Sequence, residues 1–206
     1  MPFLIPSRIK HCIIPLIRDA CASMSAIYDK VFQAIKGKSV PLEDVADIIK
    51  GKQLNGEFLT EFGSYYVMNG GTEPSGYYHT FNVPSNTISI SEGGNSCGYI
   101  QWNNTPFWSG GHCYTLNIKD TSIENKYLYH SLKWREADIM KLRIGTGLPN
   151  IQKKDLARVT IEIPTSAIQT KIICLLDSYD AKIENEIHVL ELFHSQRSFL
   201  LSQMFI

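Results

Sequence analysis

Between Thr165 and Ile206 the chain has no proline or glycine, and apolar residues recur at Ile172, Leu176, Tyr179, Ile183, Ile187, Leu190, Phe193, Leu201 and Met204. Spacings of three and four return these positions to one side of a helix, with Arg197 filling the single gap. At 1.5 Å per residue, about 40 residues make a helix of about 60 Å, too long for a small domain to cover. The pattern therefore predicts a long helix over 165–206 that packs against another long helix in coiled-coil fashion.

Residues 41–164 follow a different rule. Pro41 to Ile49 reads as a short helix or turn running into a strand, and short β-prone runs follow at Tyr65–Met68, Thr87–Ser91, Gly98–Trp102 and His112–Ile118. Gly, Asn and Ser separate them as turn residues. One helical segment, Asn125 to Lys141, interrupts, and a last strand over Val159–Ile163 ends at Pro164. Upstream, Met24, Ile27, Tyr28, Val31, Phe32 and Ile35 mark a helix stopped by Gly37. The expected fold is α+β: an N-terminal helical segment (1–40), a β-rich region with long loops (41–164) and a long coiled-coil-forming α-helix (165–206).

Composition changes this picture little. The apolar fraction of 44% belongs to a folded chain, and 20 basic against 20 acidic residues leave no net charge. Five scattered cysteines without a C-x-x-C pair support neither a zinc ribbon nor a disulfide framework. No apolar run approaches the length of a membrane span, so a cytoplasmic protein without a membrane partner is expected.

Candidate chemistry is sparse. The run Ser91-Glu92-Gly93-Gly94-Asn95-Ser96-Cys97-Gly98 lacks the Lys-Ser/Thr of a phosphate-binding loop and reads as a tight turn between two strands. Asp120, Glu124 and Lys126 have the residue types of a nuclease site, but they fall in a turn entering a helix. The six histidines offer no zinc-ligand spacing, so no metal site is expected. No catalytic residues are expected.

A series of words in the middle of the chain carries more. Gly51-Lys52-Gln53-Leu54-Asn55-Gly56-Glu57, Tyr66-Val67-Met68-Asn69-Gly70-Gly71, Thr87-Ile88-Ser89-Ile90-Ser91-Glu92-Gly93-Gly94 and Gly98-Tyr99-Ile100-Gln101-Trp102-Asn103 occur in that order. Gly145-Thr146-Gly147-Leu148-Pro149-Asn150-Ile151, Ile161-Glu162-Ile163-Pro164 and Gln169-Thr170-Lys171-Ile172 follow. Together they resemble the target-recognition domain and following helix of a type I restriction–modification DNA specificity subunit.

That resemblance implies a non-catalytic subunit that binds double-stranded DNA and positions a methyltransferase subunit, and in restricting complexes a motor-nuclease subunit, on a bipartite site. S-adenosylmethionine and ATP would belong to those partners, with no cofactor in this chain. Full-length family members carry two recognition domains separated by two antiparallel helices, whereas one recognition region and one long helix are legible here. A homodimer through the C-terminal helix, reading a palindromic site, would restore the two-domain arrangement. A truncated, non-functional remnant is the other reading of the same departure. From a different class, a β-rich ligand- or carbohydrate-binding module on a coiled-coil stalk suits the aromatic and Asn-rich loops.

Charge sets a constraint on DNA binding. No lysine or arginine lies between Gln53 and Ile118, so few phosphates can be neutralised and the free chain should bind DNA weakly with a shallow salt dependence. Base reading must fall to polar groups beside strands. The expected DNA-contacting residues are Lys50, Lys52, Gln53, Asn95, Ser96, Gln101, Asn103, Ser109, His112, Arg143, Thr146, Asn150 and Lys153. Trp102, Phe107 and Trp108 are expected in the core.

Overall fold

The computed structural model describes residues 22–145 and 147–204, which fall into two compact units. One runs from Ala34 to Ile173; the other joins the N-terminal helical residues to the chain beyond Cys174.

In the larger unit, β2 (Ala46–Lys50), β8 (Cys113–Ile118), β5 (Thr87–Ser91) and β6 (Ile100–Asn103) form an antiparallel sheet in that order. A second sheet has the order β4 (Tyr77–Tyr78), β3 (Tyr65–Met68), β7 (Trp108–Ser109), and its β3–β7 pair is parallel. β1 (Lys38–Pro41) pairs with β9 (Thr160–Ile163), and α2 (Leu42–Val45) links β1 to β2.

Strand β5 is covered on both of its faces. Its sequence alternates Thr-Ile-Ser-Ile-Ser, the pattern of a half-exposed strand, yet all five residues are buried. Ile88 and Ile90 are fully enclosed. The hydroxyls on the other face are anchors: Thr87 donates to the Pro84 carbonyl, Ser91 to the Gly70 carbonyl, and Ser89 accepts from the Asn103 amide. Small polar groups can be buried at little cost when each is hydrogen-bonded.

The expected single helix over 125–141 is two, α3 (Asn125–Trp134) and α4 (Glu136–Lys141), separated at Arg135 with φ −90° and ψ 7°. Tyr127, Leu128 and Leu132 of α3 are fully buried. At the break the Glu136 carboxylate accepts from the Ile100 N–H at 2.8 Å and from the Lys133 ammonium at 2.6 Å. The outer strand β6 is thereby closed by side chains. A short helix, α5 (Lys153–Ala157), and strands β1, β4 and β7 have no counterpart in the sequence reading.

Helix α6 (Ser166–Met204) spans 39 residues. Its start is fixed by Gln169, 1% exposed, which accepts from the Glu124 N–H and donates to the Ser122 and Pro164 carbonyls. Ile172 and Leu176 are buried, and Asp180, Ile183, Ile187, Leu190 and His194 are half-buried. From Leu176 onward these recur at four and three, a heptad repeat. Tyr179, Phe193 and Leu201, assigned to the same stripe from sequence, are 38%, 63% and 43% exposed. Tyr179 and Phe193 stand one position before Asp180 and His194, which a 100° step per residue rotates off that line.

In the helical unit, α1 is described over residues 22–34, with Tyr28 and Phe32 buried and stacked at 5.9 Å. Among the described residues, no helix is long and apolar enough to cross a membrane.

Candidate nucleic-acid interface

Five connections of the larger unit converge, held together by their own backbones. The Lys52 N–H donates to the Ser109 carbonyl and the Gly110 N–H to the Met68 carbonyl. Glu92 N–H bonds to the His112 carbonyl, Gly94 N–H to the Pro149 carbonyl and Ile151 N–H to the Glu92 carbonyl, each at 2.9 Å. Residues 51–53, 69–71, 92–95, 110–112 and 148–151 thus form one surface made of loops.

Glycine makes the convergence possible. Gly70 has φ +87°, and a Cβ there would lie 2.8 Å from the His112 carbonyl oxygen. A Cβ on Gly110 would meet the Asn69 amide at 2.5 Å. Only residues without a side chain let backbones come this close. The Asn69 Oδ1 in turn accepts from the His112 N–H at 3.2 Å.

Glu92 stands at the centre, 8% exposed. Its Oε1 accepts from the Lys50 ammonium at 2.7 Å and from the Tyr114 hydroxyl at 2.9 Å. Burial pushes the Tyr114 hydroxyl far above its ordinary pKa, and the neighbouring Glu92 carboxylate adds to the rise. The Cys97 thiol donates to the Glu92 carbonyl. Its pKa is also raised, chiefly by burial.

Most of the residues expected from sequence meet here. Lys52, Gln53, Asn95, His112 and Asn150 are exposed on these loops, Ser96 is half-exposed, and Lys50 is exposed while tied to Glu92. Arg143 and Lys153 are exposed on either side of the 144–150 turn, which an Ile144–Asn150 bridge closes. Leu148 lies at the tip of that turn, 87% exposed. Thr146 lies outside the described residues.

Three expectations need correction. Asn103 is 1% exposed, with its amide donating to Ser89 and to the Thr87 carbonyl and its oxygen accepting from Tyr66, so it supports β5 instead of meeting a ligand. Ser109, also 1% exposed, is held by Asn82 beneath loop 51–53. Gln101 sits on β6, opposite Ser89, with a buried side-chain oxygen.

The aromatics divide as well. Phe107 is fully buried as expected, but Trp102 and Trp108 are half-exposed. The Lys126 ammonium lies 4.4 Å from the centre of the Trp102 ring. Trp108 donates its indole N–H to the Lys52 carbonyl. Lys126 is thus engaged by an aromatic ring, and Asp120 accepts from the Ser122 N–H in its own turn. Sequence reasoning missed Glu92, Asn69 and Tyr114; the Gly-rich run that contains Glu92 was read only as a turn.

Comparison with known proteins gives this surface its context. The sequence model of the type I restriction modification DNA specificity domain matches residues 36–191. A Mycoplasma genitalium protein named as a type I specificity subunit is 31% identical over 166 residues, covering 80% of this chain and 43% of its own length. Its counterpart by name in Mycoplasma pneumoniae is 35% identical over 158 residues, covering 76% and 41%.

Among solved structures, the type I restriction–modification S subunit from M. genitalium superposes with a TM-score of 0.75 at 32% identity, covering 84% of this chain and 46% of that one. The HsdS subunit from Thermoanaerobacter tengcongensis shares the fold, with a TM-score of 0.60 at 20% identity over 86% and 47% of the two chains. The chain belongs to the type I restriction–modification DNA specificity family. It spans less than half the length of the curated relatives named here. The match disfavours a carbohydrate-binding module.

Proposed function

We propose that this chain reads a double-stranded DNA sequence for a type I modification or restriction complex, through the surface formed by loops 51–53, 69–71, 92–95, 110–112 and 148–151. The observation that carries the reading is the meeting of exposed Lys52, Gln53, Asn95, His112 and Asn150 on one backbone-braced surface. Amide and imidazole groups read base edges, and the flanking Lys52, Arg143 and Lys153 hold phosphates. Chemistry is left to partners: a methyltransferase subunit with S-adenosylmethionine and, where restriction occurs, a motor-nuclease subunit with ATP. The chain itself contributes position and no catalytic group.

The exposed apolar residues of α6, with Leu192, Phe193, Phe199 and Leu200 all above half exposure, support association with a second long helix. We assign that helix to a second copy of this chain. A two-fold pair would read a bipartite site with matching half-sites.

Fluorescence anisotropy on a labelled duplex pool tests DNA reading. The free chain should bind weakly, losing affinity with salt as if about three phosphates were neutralised. Lys52→Ala should reduce that slope by about one. A steep slope that Lys52→Ala leaves unchanged would place DNA elsewhere on the protein.

A further inference from the structure

We propose that DNA binding by this protein takes up a proton at His112, with Glu92 as the positioning residue that makes the uptake favourable. The proposal rests on the loop cluster being the DNA-facing surface and goes on to how that surface acquires charge.

The cluster is short of cations. Between residues 54 and 117 there is no lysine or arginine, and the only histidines are His79 and His112. His79 stacks on Tyr78 at 4.1 Å, next to β4. His112 belongs to the cluster, with a side chain 62% exposed.

Beside it lies an incomplete acceptor. Glu92 Oε1 already receives two hydrogen bonds, whereas Oε2 is buried and has no hydrogen-bond partner. The nearby imidazole nitrogen, His112 Nδ1, is 4.0 Å from it, too far to bond. A buried carboxylate oxygen left unpaired is unfavourable. An imidazolium that moved in by about 1 Å would satisfy it at hydrogen-bond distance. Its second N–H would remain available to a phosphate oxygen or base acceptor.

The backbone holds the pair in register, since the Glu92 N–H bonds to the His112 carbonyl at 2.9 Å. Gly93 lies beside the ring, where a Cβ would stand in ordinary van der Waals contact at 3.9 Å from Nδ1. Lys50 shares the carboxylate, and Arg143 acts electrostatically on Cys97 from the 144–150 side. Burial pushes the ionisation of Tyr114 and Cys97 upward, so both stay protonated near neutrality. Imidazole as a side-chain type is the one that ordinarily exchanges a proton between pH 5 and 8. A polyanion docking against it favours the protonated form, and by linkage the affinity then rises as pH falls.

The test uses the full chain and a fluorescent mixed-sequence duplex pool at low salt. Affinity should be about tenfold tighter at pH 6 than at pH 8, an average uptake of about half a proton per site over that interval. Calorimetry in buffers of different ionisation enthalpy should report the same uptake. His112→Gln should remove most of this pH dependence, and His79→Gln should leave the dependence intact. Glu92→Gln should weaken it, with melting curves as a control for folding. Should that variant fail to fold, His112→Gln alone decides.

Binding that is flat with pH in the wild type, or that keeps its pH dependence in His112→Gln, overturns the proposal and leaves DNA reading intact. A chain that binds no duplex at any pH overturns the DNA reading and the proposal with it.

Discussion

Asn82 holds both backbone polar groups of Ser109: its Oδ1 accepts from the Ser109 N–H at 2.7 Å, and its Nδ2 donates to the Ser109 carbonyl at 3.1 Å. One side chain thereby does the work of a neighbouring strand at the edge of β7. Ser109 is 1% exposed, so water cannot replace those bonds. Asn82→Ala should destabilise the chain by about 1–3 kcal/mol, because the buried Ser109 N–H loses its partner while its carbonyl keeps only the Lys52 N–H. Asn82→Asp keeps only the acceptor and should fall between the two. The denaturant midpoint measures both.

Gly70 and Gly94 separate two costs. Both have positive φ, +87° and +77°, but a Cβ on Gly94 meets nothing within 4 Å, whereas one on Gly70 runs into His112. Gly94→Ala should cost about 1 kcal/mol for backbone conformation alone. Gly70→Ala should cost more and should also weaken duplex binding, since it forces loops 69–71 and 110–112 apart. Equal losses in the two variants would contradict the close approach.

How far the sequence disclosed this arrangement depends on which residues are asked. The heptad spacing announced α6, and the β-branched run Thr87–Ser91 announced β5, because both patterns repeat over several residues. Two-residue strands such as β4 and β7 have no pattern to show and exist through pairing with β3. The loop residues were legible as polar groups near glycine, and Lys52, Gln53, Asn95, His112 and Asn150 do come together. Asn103 and Ser109 have the same local appearance, yet they are enclosed by Tyr66 and Asn82, which lie 37 and 27 residues away. Glu92 was hidden for the opposite reason: acids are rarely buried, and nothing local shows that Lys50 and Tyr114 await it.

Thiol chemistry offers a check on burial. Burial holds the Cys113 thiol up at about 11, against 9.0 for its ordinary value, with Ser109 and Ser89 opposing the rise. A raised pKa means that the folded state keeps its proton while the unfolded chain loses it. The associated stability, on the order of 2 kcal/mol, is complete below pH 9 and disappears as pH rises from about 9 to about 11. Alkylation followed by peptide mapping should label exposed Cys174 long before Cys97 or Cys113. Fast labelling of Cys113 at pH 8 would contradict the packing.

Helix α6 has two kinds of apolar position, and substitution should tell them apart. Ile187 is half-buried and Phe193 is 63% exposed. Ile187→Asp should lower helicity and thermal stability by circular dichroism. Phe193→Asp should leave both nearly unchanged and shift the mass seen by light scattering from twice 23.3 kDa towards one chain. A wild-type chain that is already monomeric at micromolar concentration would remove the second-copy assignment.

The loop cluster is braced chiefly by main-chain hydrogen bonds, such as those joining Glu92 to His112 and Ile151, and Gly94 to Pro149. Main-chain bonds do not depend on which side chain a residue carries. Positions such as Asn95, His112 and Asn150 can therefore be exchanged while the loops keep their course, and the glycines bear the geometric constraint. If this surface reads DNA as proposed, a scaffold built this way would let recognition drift by substitution without refolding, bringing new target sequences within single mutational steps.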